Sequence, residues 1–506
     1  MWNLERENIK EALKEIREIV GERFATDEKA ILINYSRDFT ITPGVLPHIV
    51  ALPSSTKEVS EILKVASRRK IPVVPFSTGF NHGGLTLPRR GGIVLDLKRM
   101  KKIEINPETM TATIGPGVRN TDLYLACSEL YASEGIKLRP CLPLTMGSIS
   151  TLANYIARGG PGITVRYGFS SDLICGITWV LPDGEVIYLG THREDTNLSL
   201  PTNICEGPDL MGMFVAADGA FGVCTEMTIR LVAEFPFEKL FLFDSMEREK
   251  SLECALSFVK RIARLDIAEF IYKSHTDQLA NMSPMGNPLD LVELLPEHPV
   301  VVIISGNDEE EIRVREEILL KVAEEEGMYA VDLELLNASV GEEKIIAPEY
   351  WKKIGPRVGG VMRFKGSFQW TAGNVRFDKV KEVMEEYEKL VRRYWMRDPS
   401  ESRKRALTGP AIQGPYPFAR LAPLEFDLWF DQGNPDDIKR AAIMLRKITE
   451  LFVHKGATMF RKMYGFGEIE LPLTGTYFEV LKSLKRLLDP ENIMHPDVHP
   501  IYETYV

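Results

Sequence analysis

The run FSTGFNHGG, Phe76 to Gly84, directly continues the apolar stretch IPVVPF, Ile71 to Phe76. A short buried strand that ends in a glycine-rich loop restricts what the chain can fold into. Glycines at Gly79, Gly83 and Gly84 let main-chain N–H groups crowd around an anion, because no Cβ blocks the approach. Ser77, Thr78 and Asn81 add side-chain donors. Hung from a rigid strand edge, such a loop reads as a pyrophosphate cradle. Glycine-rich turns are common, so the reading gains its weight from two later segments in order: GPGV at Gly115 to Val118 and ADGAFGVCTE at Ala217 to Glu226.

The 506 residues predict two to four domains with sizeable cores. A net charge of −10 disfavours nucleic acid or an anionic membrane as a partner. No apolar run reaches the roughly 18 residues that span a bilayer, and the charged start, Asn3 to Val20, lacks the regions of a signal peptide. A cytoplasmic protein is expected. Cys127, Cys141, Cys175, Cys205, Cys224 and Cys254 show no CxxC spacing, which argues against an iron–sulfur or structural zinc site. Cys141 reads as a packing residue.

Leu4, Ile9, Leu13, Ile16 and Val20 recur at helical intervals and predict an amphipathic first helix. Strand-like and helical runs then alternate as far as Leu231. From Ala233 the pattern changes to LFLFD (Leu240 to Asp244), a helix over Leu252 to Arg264, IAEFIY (Ile267 to Tyr272) and VVVIISG (Val300 to Gly306). Next come a helix over Glu309 to Glu326, YAVDLELL, RFKGSFQWTA, a helix over Asp378 to Arg397, LEFDLWFD and a helix over Pro435 to Lys455, a mixed sheet backed by helices. Asp398 to Pro423 is predicted to be a long loop, and a closing helix covers Thr476 to Leu488.

The ordered pieces YSRDFT (Tyr35 to Thr40), VALPSSTKEVSEILKVASRRKIPVVPFSTG (Val50 to Gly79), GGIVLDL, ATIGPGV, YGFSSDLICGITWVLPDGEVIYLG and GPDLMGMFVAADGAFGVCTEMTIRL resemble one family. It is the FAD domain of the vanillyl-alcohol oxidase and p-cresol methylhydroxylase superfamily, which includes D-lactate and glycolate dehydrogenases. LLDPENIMHPD, Leu487 to Asp497, resembles its closing segment. The resemblance implies an α+β protein: a two-lobed FAD-binding domain over residues 1–234, an α+β substrate cap over 235–455 and a return to the FAD domain over 456–506. It implies FAD contacts from Pro75, Phe76, Ser77, Thr78, Gly79, Phe80, Asn81, His82 and Gly83. Further contacts are implied from Pro140, Thr145, Met146, Gly147, Ser148, Thr151, Gly162, Tyr167, Gly168, Gly219, Phe221, Gly222 and Val223. Nicotinamide and P-loop readings fail, since there is no GxGxxG after a first strand and no GKS or GKT.

Departures from the family narrow the chemistry. Phe80 stands where covalently flavinylated members carry a histidine, so FAD is expected to be held non-covalently, with His82 a loop donor near the phosphates. Ile469 and Glu470 replace the tyrosine–arginine pair that grips a phenolate, and Pro143 replaces an aspartate near the flavin, which speaks against a 4-alkylphenol substrate. Tyr464 occupies the place of a metal-binding histidine and RLAPLEFDLWFD holds none, so no metal is expected. Tyr464 is the first candidate for the catalytic polar group, with Glu468, Glu470 and His495 behind it. Arg363 or Arg420 would grip a substrate carboxylate. The implied activity is hydride transfer from an alcohol, a 2-hydroxy acid or an activated C–H carbon to flavin N5. Electrons would leave to an iron–sulfur subunit, an electron-transfer flavoprotein or a quinone, in a homo- or hetero-oligomer. Alternatives are an alkylglycerone-phosphate-synthase-like transferase, a phenol or aromatic alcohol oxidase, or a flavin-binding subunit with no substrate of its own.

Overall fold

The computed structural model describes residues 2–496 apart from 39, 81–82, 160–162, 195–199, 206, 277–278, 280–290, 339–347, 354–366, 399–407, 413, 460–468 and 470–474. Strands β1 (Ala25–Thr26), β2 (Ile49–Ala51), β3 (Val73–Phe76) and β4 (Ile93–Asp96) form a first sheet in the order β1-β2-β4-β3. The last three run parallel. Ile49, Val50, Val73, Val74, Ile93 and Val94 are all buried, the pattern of parallel strands covered on both faces. Helix Thr56–Arg69, started by the Ser55 side chain on the Glu58 amide, carries the chain from β2 to β3. The first helix, Arg6–Val20, lays Ile9, Ala12, Leu13, Ile16 and Val20 on this layer, as its periodicity predicts. Residues 493–495 extend the sheet: Met494 pairs parallel to Val73, and the His495 amide donates to Val73 O at 2.8 Å.

The second sheet comprises β5 (Ile103–Asn106), β6 (Thr111–Ile114), β7 (Leu138–Pro140), β8 (Ile174–Val180), β9 (Val186–Gly190) and β10 (Val223–Ala233). Its order is β5-β6-β10-β8-β9, with β7 also on β10. The third sheet has the strands β11 (Phe237–Ser245), β12 (Phe270–Lys273), β13 (Val300–Gly306), β14 (Met328–Ala330), β15 (Ser367–Arg376), β16 (Pro410–Ile412), β17 (Leu421–Phe430) and β18 (Thr458–Met459). These eight strands lie in the order β14-β11-β13-β12-β16-β17-β15-β18.

Alternation gives the third sheet two different faces. Phe241, Phe243, Ile271, Val302, Leu424, Phe426 and Leu428 pack under helices Ser251–Leu265, Val380–Leu390 and Pro435–His454. Leu240, Leu242, Phe270, Tyr272, Val301, Ile303 and Ala411 join the core of the second sheet. The sheet is therefore a plate with helices behind it and the other two layers in front. Arg139 at β7 and Glu269 before β12, both about 1% exposed, form an ion pair across that junction. Gln369 and Gln432 add hydrogen bonds to Ile41, Asp38 and Thr40.

The structure corrects several expectations. Asp398 to Pro423 is not one long loop: Pro410–Ile412 forms β16 between β12 and β17, an apolar three-residue run too short to show a period. YAVDLELL divides into β14 and a helix at Leu333–Ala338. The helix expected to run to Arg397 ends in a π turn at Val391–Trp395. The third sheet also runs past residue 455, because β18 pairs with β15.

Candidate cofactor site

The glycine-rich loop after Phe76 leaves β3 at the carboxyl edge of three parallel strands, where open α/β layers bind ligands. Phe76, Ser77, Thr78, Gly79 and Phe80 are half-buried there, as are Thr145, Met146 and Gly147 on a second loop and Asp218 and Gly219 on a third. These loops interlock, since the Ser150 amide donates to Thr78 Oγ1 at 3.1 Å and Pro75 lies against Gly219. Phe76 rests edge-on against Tyr35 at 4.9 Å, whose hydroxyl donates to buried Asp96 at 2.7 Å. Burial beside that carboxylate pushes the Tyr35 hydroxyl up to about 12.

The third loop, Ala217 to Gly222, turns tightly through positive φ at Asp218 (49°), Gly219 (82°) and Gly222 (131°). Three buried side chains take its carbonyls from the protein side. His495 Nδ1 lies 2.7 Å from Asp218 O, Lys485 Nζ donates to Ala220 O at 2.6 Å, and Trp179 Nε1 donates to Phe221 O at 3.0 Å. Lys485 also bonds Asp489 Oδ2 at 2.6 Å and Met494 O at 2.8 Å, and Asp489 accepts from the Ile493 and Met494 amides. Burial lowers the pKa of Lys485, with Asp489 opposing that shift. Burial likewise holds His495 down to about 3, so its imidazole is neutral. A Cβ at Gly222 would lie 2.1 Å from Val180 O and 2.6 Å from Trp179 Nε1. Gly222→Val is accordingly expected to displace Trp179 and cost more than about 3 kcal/mol by overpacking and strain at positive φ. Urea unfolding against Gly212→Ala, whose Cβ meets open space, checks this. At Gly79 too, the nearest obstacle to a Cβ is a protein group, the Phe76 ring at 2.4 Å, so its glycine answers to local packing first.

The expected contact residues divide between the three loops and the layers behind them. Pro75, Phe76, Ser77, Thr78, Gly79, Phe80 and Gly83 lie on or beside the first loop; Asn81 and His82 fall outside the described residues. Thr145, Met146, Gly147 and exposed Ser148 form the second loop. Thr151 spends its amide on Val118 O and its hydroxyl on Asn120. Pro140 is buried in β7, and Tyr167 sits near Arg139 and Glu269, burial raising its hydroxyl. Gly168 turns against Asp172, Val223 opens β10 and Phe221 is buried behind the turn. Gly162 is outside the described residues, as are the catalytic candidates Arg363, Tyr464, Glu468 and Glu470. His495 is 2% exposed, behind the third loop rather than in the opening. Arg420 is exposed and lies over the Phe418 ring. Cys141 is fully buried, its thiol pushed up to about 12, as a packing residue should be.

Sequence reasoning missed two carboxylates. Ala411 faces the second sheet, and cross-strand partners share a face, so Glu425 opposite Ala411 and Ala372 faces the same way. Asp427, opposite Trp370, does so as well. Both are nearly buried, and Trp370 Nε1 donates to Glu425 Oε2 at 2.5 Å. Acidic residues alternating with apolar ones in LEFDLWFD were the available signal. Among the described residues, no group of His, Cys, Asp and Glu is placed to hold a metal ion, and no helix is long and apolar enough to cross a membrane.

A parallel-strand edge with three converging loops defines a nucleotide-cofactor binding protein, and similarity to known proteins agrees. Residues 47–190 match the family described as FAD binding domain. The glycolate oxidase subunit GlcD of Bacillus subtilis is 32% identical over 235 residues, 46% of this chain and 47% of that one. The chain thus spans about half the length of the curated relatives it matches. Among solved structures, p-cresol methylhydroxylase with substrate bound superposes with a TM-score of 0.81 at 19% identity, covering 98% of this chain and 97% of that one. A 4-ethylphenol oxidase from Gulosibacter chungangensis gives 0.80 at 20% identity, covering 99% and 98%. Residues 47–190 thus carry an FAD binding domain, within a chain that has the fold of p-cresol methylhydroxylase.

Proposed function

We propose that the protein is an FAD-dependent dehydrogenase that oxidises an alcohol, a 2-hydroxy acid or an activated C–H carbon and hands the electrons to a protein or quinone acceptor. The observation that carries this reading is the FAD binding domain match over residues 47–190, which takes in the parallel-strand edge and the first two loops. The glycolate oxidase subunit from Bacillus subtilis supports a hydroxy-acid or alcohol substrate. When bound, FAD supplies a two-electron acceptor at N5.

This chain's own residues bind and orient. The first and third loops, Phe76 to Gly84 and Ala217 to Gly222, hold the cofactor non-covalently, Phe80 lacking any group for a link. The third sheet presents Glu425, Asp427 and Trp370 toward the cofactor layers as the roof of the substrate space. Tyr464 receives or donates the proton at the reacting substrate oxygen, and Arg363 grips a carboxylate where the substrate has one. Tyr464→Phe is expected to slow flavin reduction about 100-fold, with FAD content unchanged, as for loss of general acid–base assistance. A wild-type rate in stopped-flow reduction would remove Tyr464 from the reaction.

Turnover of a panel of hydroxy acids and alcohols with a quinone dye as acceptor, oxygen excluded, tests the dehydrogenase reading. Dye-linked turnover well above the rate sustained by oxygen is expected. Equal rates with oxygen alone would make the protein an oxidase, and acid precipitation that leaves flavin on the protein pellet would overturn non-covalent binding.

A further inference from the structure

We propose that His495, with Lys485 behind the same turn, is a positioning residue that shapes the Asp218–Gly222 loop into an anion site for the pyrophosphate of FAD. The inference deepens the proposed cofactor reading and rests on it.

A peptide's C=O and N–H point in opposite directions within one plane. A side chain that draws a carbonyl into the protein therefore turns the next residue's N–H outward. Asp218 O is an acceptor, so His495 Nδ1, 2.7 Å away, carries the hydrogen of this neutral imidazole and donates it. The Asp218–Gly219 peptide is thereby fixed with the Gly219 N–H away from His495, toward the half-exposed side of the loop. Among the described residues, that N–H donates to no main-chain carbonyl. Lys485 draws Ala220 O inward in the same way, and Trp179 draws Phe221 O. Three carbonyl oxygens that would repel an anion are thus withdrawn on the buried side.

The backbone supports the same conclusion. φ is positive at Ala216 (60°), Asp218 (49°) and Gly219 (82°), and while the Ala216, Ala217, Ala220 and Gly222 amides donate to main-chain carbonyls, the Gly219 amide does not do so among the described residues. His495 itself stands at φ 43°, a costly conformation for a non-glycine residue, held by its amide bond to Val73 O and its ring bond to Asp218 O. A lysine and a histidine thereby serve a loop 265 and 277 residues earlier in the chain. A Cβ at Gly219 would meet Pro75, at the root of the first loop, at 3.2 Å, so this turn lies beside the Phe76 to Gly84 loop. The chemistry favoured is a phosphate oxygen, which free phosphates share with FAD.

The test uses the full-length apoprotein and measures dissociation constants by quenching of flavin fluorescence, with FAD and with riboflavin, which has no phosphate. His495→Leu removes the donor and should weaken FAD binding on the order of 10-fold or more while leaving riboflavin binding unchanged. His495→Asn, whose side-chain amide can still donate, should recover most of the loss. Inorganic pyrophosphate should compete with FAD on the wild-type protein, which keeps the test decisive if His495→Leu does not fold. Wild-type FAD affinity in His495→Leu, equal losses for FAD and riboflavin, or no competition by pyrophosphate would each overturn the proposal. A wild-type apoprotein that binds neither flavin would instead overturn the cofactor reading beneath it.

Discussion

Lys485→Met is expected to lower the unfolding free energy by about 3–5 kcal/mol and to strip FAD from the purified protein, because it leaves a carboxylate buried without its cation. Lys485 and Asp489 are each about 1% exposed and 2.6 Å apart. The ammonium also serves the carbonyls of Ala220 and Met494, so one substitution unties the helix Tyr477–Leu488 from both the third loop and the strand segment at Met494. Asp489 keeps its bonds from the Ile493 and Met494 amides, so the clamp should loosen there before it opens. Removing both charges with Lys485→Met and Asp489→Leu should recover part of the loss, since the uncompensated charge dominates the single variant. Urea unfolding of the wild type, the single and the double variant measures this. A single variant within about 1 kcal/mol of wild type would show that the pair carries little of the packing.

Acidification below pH 6.5 should destabilise the protein steeply, through two histidines held neutral by burial. His495 is held down to about 3 and His192 to about 4, against 6.5 in the unfolded chain. For His192 the ring lies between Thr178 Oγ1 at 3.1 Å and Thr228 Oγ1 at 2.8 Å in the second sheet, with Lys102 adding a small unfavourable charge. Both folded values are depressed, so between 6.5 and about 4 the unfolded chain binds protons that the folded protein does not. Stability is therefore complete above about 6.5 and lost as the pH falls. Each histidine contributes a slope of about 1.4 kcal/mol per pH unit, about 2.7 for the two together. Urea midpoints measured at steps across this window, with His192→Asn beside wild type, isolate one histidine's share. An unchanged slope in His192→Asn would show that His192 titrates alike in both states.

The strand and loop from Ile71 to Gly84 are legible in the sequence because their signals are local: an apolar run, then glycines. The same holds for the first helix and for the helix at Pro435–His454, whose periodicity agrees with their boundaries. Register and long-range pairing are not local and leave no such mark. Glu425 and Asp427 gain their direction only from the opposition of Glu425 to Ala411 and of Asp427 to Trp370. The partners of Lys485 and His495 lie 265 and 277 residues away, so neither spacing nor motif announces them. The place of His495 in IMHPD suggests a residue lining the reaction site. Its burial behind the Asp218 carbonyl instead gives it a part in shaping the cofactor loop. The short strand Pro410–Ile412 reads as loop in sequence because three residues among prolines and glycines carry no period.

Anaerobic single-turnover reduction tests the central claim most directly. The FAD-loaded protein is mixed in a stopped-flow cell with each of a panel of 2-hydroxy acids, alcohols and aromatic compounds, and the visible absorbance of the flavin is followed. At least one compound should bleach the bound flavin fully, with the rate saturating in its concentration, and deuterium at the carbon that loses hydride should slow it. If none bleaches a flavin that dithionite reduces readily, the protein binds FAD without oxidising a substrate of these classes, and the dehydrogenase reading is contradicted.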